Sequence, residues 1–404
     1  MERNNLVSIG FLLLGVFFLY YLPIVTTFIV FLFFFFMKKH SFAIIFFSIS
    51  YSLLSFYIDI SQYPTADIIS YYDFISQQTL NIVSFTKIER TTFMMLHGIT
   101  SIPIHYYSLY TTFILTFSYL YAMHRMFYLL KLSSNLYWVI AFLFLVSPAD
   151  LLAYENIAAF SLAILAYTYV YTKNYKTACL ILIFSFTFHI ASIIAILPII
   201  SSYFLKRTKQ IIAFYLSIAF CLFVYLNFSL GATGVAIIDL VLGKLYSYFM
   251  GPWSNYIRIY EYILLLFNII KVMIVFITLY YIRRYLDFSL FFFNLMLSLS
   301  LIMIMTLPFS SLSFRVMYLY SVFIPFILLL CNVFWVKVGF KKLLSLTILL
   351  LMILLPLPRA LDYYRFVVPI VLSNTMKLSI FERSIYDSRI IKDTRESSGA
   401  NREK

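Results

Sequence analysis

The chain has 404 residues, 63% of them hydrophobic and 11% charged, with mean hydropathy +0.95 and formal net charge +14. That composition excludes an ordinary soluble globular domain and fits an all-α, polytopic integral membrane protein. The cations gather in small clusters at the ends of apolar runs rather than along one face, which argues against a nucleic-acid partner and reads as an orientation signal.

A helix that crosses a membrane takes roughly 20 apolar residues, and on that measure about 13 transmembrane or re-entrant helices fit in a single membrane domain, 1–358. Residues 1–9 show neither a cationic n-region nor a small-residue cleavage site, so the run they open is expected to remain as a first membrane segment. Pro23 breaks the apolar run 6–37 into two short helices that start and finish on the cytoplasmic side, at Lys38-Lys39-His40. A span near 41–58 leads to an external polar segment, 59–103. Spans near 104–123, 136–149 and 156–172 follow, with "SPADLLAYEN" as an outer turn and the clusters His124-Arg125 and Lys173/Lys176 inside.

The next apolar run, 177–205, is bounded by Lys176 on one side and Lys206-Arg207 on the other. The positive-inside rule sends both ends to the cytoplasm, so the run is expected to turn round near His189. At about 1.5 Å per residue, two arms of some 14 residues reach only about 21 Å each, which puts the turn below the outer surface in a water-filled or protein-lined cavity. A single tilted helix with Lys206-Arg207 outside is the alternative. Residues 210–230 then go out, 231–258 form a second external loop, and 260–282 return to Arg283-Arg284. Spans near 288–307 and 314–335 make another pair with "PFSSLSFR" at the outer turn, the cluster Lys337/Lys341/Lys342 follows inside, and the short run 343–357 precedes a charged tail, 359–404. Cys179, Cys221 and Cys331 all lie in apolar runs, so neither a disulfide framework nor a CxxC metal site is expected.

Ionisable groups at membrane depth are functional candidates, because they are costly unless paired or hydrated. His189 is one. Lys271 is another: it precedes Arg283 by about 18 Å of helix, too deep to reach the interface easily. Arg258 and Arg315 fall at outer ends, where the positive-inside rule gives no reason for arginine, and a guanidinium matches phosphate oxygens bidentately. In the first external segment Asp59, Asp67, Asp73 and Glu89 accompany Tyr63, Tyr71, Tyr72 and Arg90, a mixture of carboxylates and aromatic faces that suits a sugar. P-loop, GxGxxG, HExxH, GxSxG and DxD patterns are all missing, and Gly98 and Pro103 separate His97 from His105, so no metal or cofactor is expected.

Several short motifs together resemble the EpsG-like branch of the Wzy polymerases. "ADIISYYDF" and "KIERTTFMML" are similar to that family's first outer loop and place Asp67, Tyr71 and Glu89 on its pattern. "AAFSLAILAYTYVYTKNYKTACLILIFSFTFHIAS" resembles its small-residue helix, basic turn and "FH.S" segment, and "FRVMYLYSVFIPFIL" its Arg-and-Tyr helix; His189 and Arg315 fall on these motifs. The chain departs from the family where an arginine commonly precedes the small-residue helix, since Glu155 stands in "ENIAAFSLA".

The resemblance, which spans roughly residues 59–335, implies a GT-C-like, metal-independent glycosyltransferase of the bacterial inner (cytoplasmic) membrane with its active site facing the periplasm. Its implied reaction is the polymerisation of undecaprenyl-pyrophosphate-linked repeat units into O-antigen or related polysaccharide. His189 and Arg315 would carry the catalysis, and Asp67, Tyr71, Glu89, Arg90, Glu155, Arg258 and Lys271 would line the substrate site. Membrane lipid and the lipid-linked glycan are the expected partners, with a chain-length-regulating co-polymerase as a further candidate. A lipid-linked oligosaccharide flippase and an O-antigen ligase are the alternatives.

Overall fold

A strongly apolar chain can satisfy its backbone amides away from water most simply by closing into helices. The computed structural model describes residues 23–56, 88–104, 106–130, 155–228, 259–285 and 290–307, with short pieces between 309 and 327 and single positions at 75, 239, 242, 243 and 246. All regular structure among these residues is helical. Among the described residues, no helix is long and apolar enough to cross a membrane. The expected spans near 136–149 and 343–357, the loop 231–258 for the most part, and the tail 359–404 lie outside the described residues.

The chain divides into two compact units, the first comprising 1–124, 133–158 and 358–404 and the second 125–132 and 159–357. In the first unit, α1 (Pro23–Phe36) and α2 (His40–Phe56) form a hairpin. Pro23 opens α1 at the position where a missing N–H costs nothing. The turn is closed by Lys38 N–H donating to the Phe35 carbonyl at 3.1 Å and Lys39 N–H to the Phe34 carbonyl at 2.9 Å, with Lys38 left-handed at φ 58°. Phe31 meets Phe47 edge-on at 5.1 Å, Phe34 stacks on Phe46 at 5.5 Å, and the Ser50 hydroxyl donates to Thr27 Oγ1 at 2.7 Å. Positions rise along one helix as they fall along the other, so the two run antiparallel.

A second pair, α3 (Ile88–Thr100) and α4 (Tyr106–Leu129), is joined through Ser101, left-handed at φ 56°. Phe93 of α3 packs on Tyr107 and Tyr110 of α4 at 5.2 and 5.9 Å. The segment expected as an external loop therefore contains a helix, and Gly98 lies within it rather than ending it. At the start of α2, the His40 ring lies 5.2 Å from that of His124 on α4, and burial, then the charge of Lys38, holds the His40 imidazole below its ordinary value.

Helix α5 (Glu155–Tyr171) begins in the first unit and continues in the second from Ala159. There it is followed by α6 (Tyr175–Phe188), a 3-10 turn (Ile190–Ala195), α7 (Ile196–Phe204), α8 (Thr208–Phe228), α9 (Ile259–Tyr285), α10 (Leu290–Thr306) and a second 3-10 stretch (Met317–Val322). The last replaces, over its own length, the α-helix expected across 314–335. Helices α5 and α10 are apolar around most of their circumference and are buried around most of it, as such helices must be; α10 packs against α7, α8 and α9. The turn between α5 and α6 repeats that of the first hairpin: Lys173 is left-handed at φ 60°, Asn174 N–H donates to the Tyr169 carbonyl at 2.9 Å, and the Asn174 side chain accepts from Thr177 N–H.

Two features recur. Hydroxyls inside helices are spent on carbonyls of their own helix, as with Ser48, Ser52, Thr111, Thr278, Ser300 and Thr306. Outward stripes are also apolar: Ile212, Leu216, Phe220 and Phe223 line one exposed face of α8, and Leu266, Ile269, Met273, Ile277 and Tyr280 one face of α9.

Candidate functional site

Helix α6 stops at His189, whose backbone is extended at φ −155° and ψ 125°. Its N–H donates to the Ser185 carbonyl at 3.3 Å and its carbonyl accepts from Ser192 N–H at 3.0 Å, so the break is bracketed by hydrogen bonds on both sides. Beyond the 3-10 turn the chain comes back. Tyr175 from the first turn of α6 meets Tyr203 from the last turn of α7 edge-on at 5.9 Å, which selects the hairpin over the single tilted helix. Arms of 14 and 9 residues extend about 21 and 14 Å.

Helix α5 supports this break from one side. The Ser185 hydroxyl donates to the Ala159 carbonyl at 2.7 Å, and the Tyr167 hydroxyl donates to the Ala195 carbonyl at 2.9 Å. One bond ties α6 to α5 just before His189, and the other ties the end of the 3-10 turn to α5 just after it. Ala159, Ala163 and Ala166 keep the surface of α5 low enough for such approach. His189 itself is 8% exposed. Sequence reasoning finds His189 and the small-residue helix but misses Ser185 and Tyr167, whose only signal is that they carry hydroxyls on runs otherwise nearly all apolar.

In the first unit, Arg90 Nη2 and Glu155 Oε1 form an ion pair with side chains only 12% and 9% exposed. Arg90 comes from α3 and Glu155 from the first turn of α5, where the helix dipole favours a carboxylate. Both are expected as substrate contacts, and the fold joins them to each other. Glu89 lies beside Arg90 in α3.

Lys271 sits on α9 with its ammonium 5.9 Å from the centre of the Tyr320 ring, a cation–π contact. Three residues earlier on the same helix, Asn268 Nδ2 donates to Ser313 Oγ at 3.5 Å. Asp67, Tyr71, Arg258 and Arg315 lie outside the described residues. Among the described residues, no three His, Cys, Asp or Glu side chains gather closely enough to hold a metal ion.

Among the described residues, these features define a helical fold with a buried histidine at a broken helix and an ion pair between α3 and α5. No family model, curated protein or solved structure matches the chain.

Proposed function

We propose that the protein is a polytopic inner-membrane glycosyltransferase, a Wzy-type polymerase of the EpsG-like kind, that joins undecaprenyl-pyrophosphate-linked repeat units into O-antigen or related surface polysaccharide at the periplasmic face. The observation that carries this reading is the reversal of the chain at His189, within an apolar run that has cations at both ends. A buried imidazole at a helix break, supported by neighbouring hydrogen bonds, suits a base that must be held in one orientation. The apolar outward stripes of α8 and α9 support the membrane part of the reading, since water-facing helices put polar residues there.

In this reaction the acceptor sugar hydroxyl attacks the anomeric carbon of the growing glycan. The new glycosidic C–O bond forms as the bond to pyrophosphate breaks, His189 takes the hydroxyl proton, and the negative charge that develops on the pyrophosphate is met by Arg315 with help from Lys271 or Arg258. Asp67, Tyr71 and Glu89 would hold the sugars. A GT-C-like arrangement of the helices belongs to the same proposal.

His189→Ala tests it. Surface lipopolysaccharide should then carry a single repeat unit while transport and ligation continue; a base contributes about 10² to 10⁴-fold, so traces of short chain are consistent and a normal ladder is not. Repeats held on the cytoplasmic leaflet would indicate a flippase. Long polymer left on undecaprenyl pyrophosphate, with bare core, would indicate a ligase.

A further inference from the structure

We propose that the turn before α6 and the turn between α7 and α8 together bind the headgroup of an anionic phospholipid of the phosphatidylglycerol type. The proposal rests on the membrane part of the reading above and not on the polymerase part. Lys173 and Lys176 flank the first turn, Lys206, Arg207 and Lys209 the second, and all of them are exposed. Tyr175 and Tyr203, which meet edge-on at 5.9 Å, bring the two turns together although the whole hairpin lies between them in the chain. Residues 159–228 contain no Asp or Glu, so no carboxylate of that stretch balances the cluster. Arg283 of α9 adds to the same end: its guanidinium lies 5.7 Å from the centre of the Phe293 ring, and the next residue, Asn294, donates to the Leu205 carbonyl at 2.9 Å.

Each helix at this cluster carries an exposed stripe that turns from cationic to apolar. On α6, Lys176 shares a face with Leu180 and Ile183; on α8, Lys209 shares one with Ile212, Leu216 and Phe220. On α7 the order runs the other way, with Ile200 first, then Tyr203 and Phe204, then Lys206 and Arg207 just past its end. The three stripes change character at one level, because the Tyr175–Tyr203 contact ties the start of α6 to the end of α7 and the short turn to α8 follows directly. A surface that is cationic for one turn and apolar beyond it matches a phosphate joined to acyl chains. A soluble anion has no use for the apolar part, and a nucleic-acid backbone, charged along its whole length, has none for so short a band. Tyr175 and Tyr203, 45% and 55% exposed, mark the change, where amphipathic rings sit at headgroup level.

The test titrates the purified full-length protein in detergent with phosphatidylglycerol and, separately, with phosphatidylcholine, and follows bound lipid and thermal unfolding. Phosphatidylglycerol should bind with an affinity that falls as salt is raised, and should raise the unfolding midpoint; phosphatidylcholine at the same level should do neither. A lysine or arginine near an anionic lipid surface is worth about fivefold in binding, so Lys173→Gln with Lys176→Gln, or Lys206→Gln with Arg207→Gln, should each weaken it about 25-fold. Lys38→Gln with Lys39→Gln removes the same charge from the first hairpin and should leave the affinity nearly unchanged. Equal loss in all three double variants would make the effect one of net charge and overturn the site. So would half of the bound lipid keeping wild-type affinity in either turn variant, which would mean two separate sites. Equal stabilisation by inorganic phosphate would assign the cations to a soluble anion and overturn it as well. A protein that stays in solution without detergent, yet binds phosphatidylglycerol through these turns, would keep the site and reject the membrane-spanning reading; one that needs detergent but does not distinguish the two lipids would do the reverse.

Discussion

Removing one member of a largely buried ion pair leaves the other charge without that counter-ion in a poorly hydrated place, and the Arg90–Glu155 contact is open to that experiment. Arg90→Met or Glu155→Leu alone should lower stability by about 3–5 kcal/mol, whereas the double variant should recover a good part of the loss, because neither charge then faces an apolar side chain in place of its counter-ion. Thermal unfolding of the three purified variants measures this, and additive losses would mean that the pair is not coupled. The double variant also separates two roles. Polymer made at the wild-type level would make the pair a clamp between α3 and α5, and polymer lost from a protein of restored stability would make it part of the substrate site. The glutamate could be singled out from the sequence because it interrupts the approach to an alanine-rich helix. Arg90 is singled out as well, among the charged and aromatic residues of the first external segment, but the pairing is not legible, since nothing in the order of residues says that position 90 returns to position 155.

At the scale of elements, helix limits were largely legible and helix contacts were not. The segments expected as spans near 41–58, 156–172, 210–230, 260–282 and 288–307 are helical, as α2, α5, α8, α9 and α10 with ends shifted by a few residues, although none of these helices is long and apolar enough to cross a membrane; the length of an apolar run and the basic cluster beyond it bound a helix from both sides. Helix α3 escaped notice: "IERTTFMMLHGIT" has no long apolar run, includes a glycine, and is anchored through Phe93 to residues further along the chain. The hydroxyl bridges from Ser185 and Tyr167 escaped too, since periodicity names a buried face but not the helix that covers it. The turns carry a prediction of their own. Lys38 and Lys173 occupy left-handed positions that glycine normally fills, at a cost of about 1–2 kcal/mol each. Lys173→Gly should therefore raise stability by about 1 kcal/mol in unfolding experiments, while a reporter fused after α5 should show weaker retention on the cytoplasmic side. An unchanged or lower stability would mean that the lysine side chain contributes more than its backbone geometry costs.

For the molecule as a whole, the membrane reading makes a statement about sides that the fold alone does not. With Cys179, Cys221 and Cys331 replaced, a single cysteine at Ile193, a half-buried position in the 3-10 turn that follows His189, should react with an impermeant thiol reagent added from the periplasmic side, and one at Lys206 should not. The opposite pattern would place the basic flanks outside and the break inside, and the scheme of a periplasmic base would go with it. The reversal at His189 also bears on how such a chain is made. A hairpin whose two ends stay on one side can enter a bilayer without carrying its lysines and arginine across, and neither of its arms, about 21 and 14 Å long, could anchor itself there alone. Its two hydroxyl bridges lead to α5, which leaves the ribosome earlier. On that reading the preceding helix acts as a template during biosynthesis: the hairpin settles only once α5 is in place, and a defect in α5 would be read out as a failure of the later segment to insert.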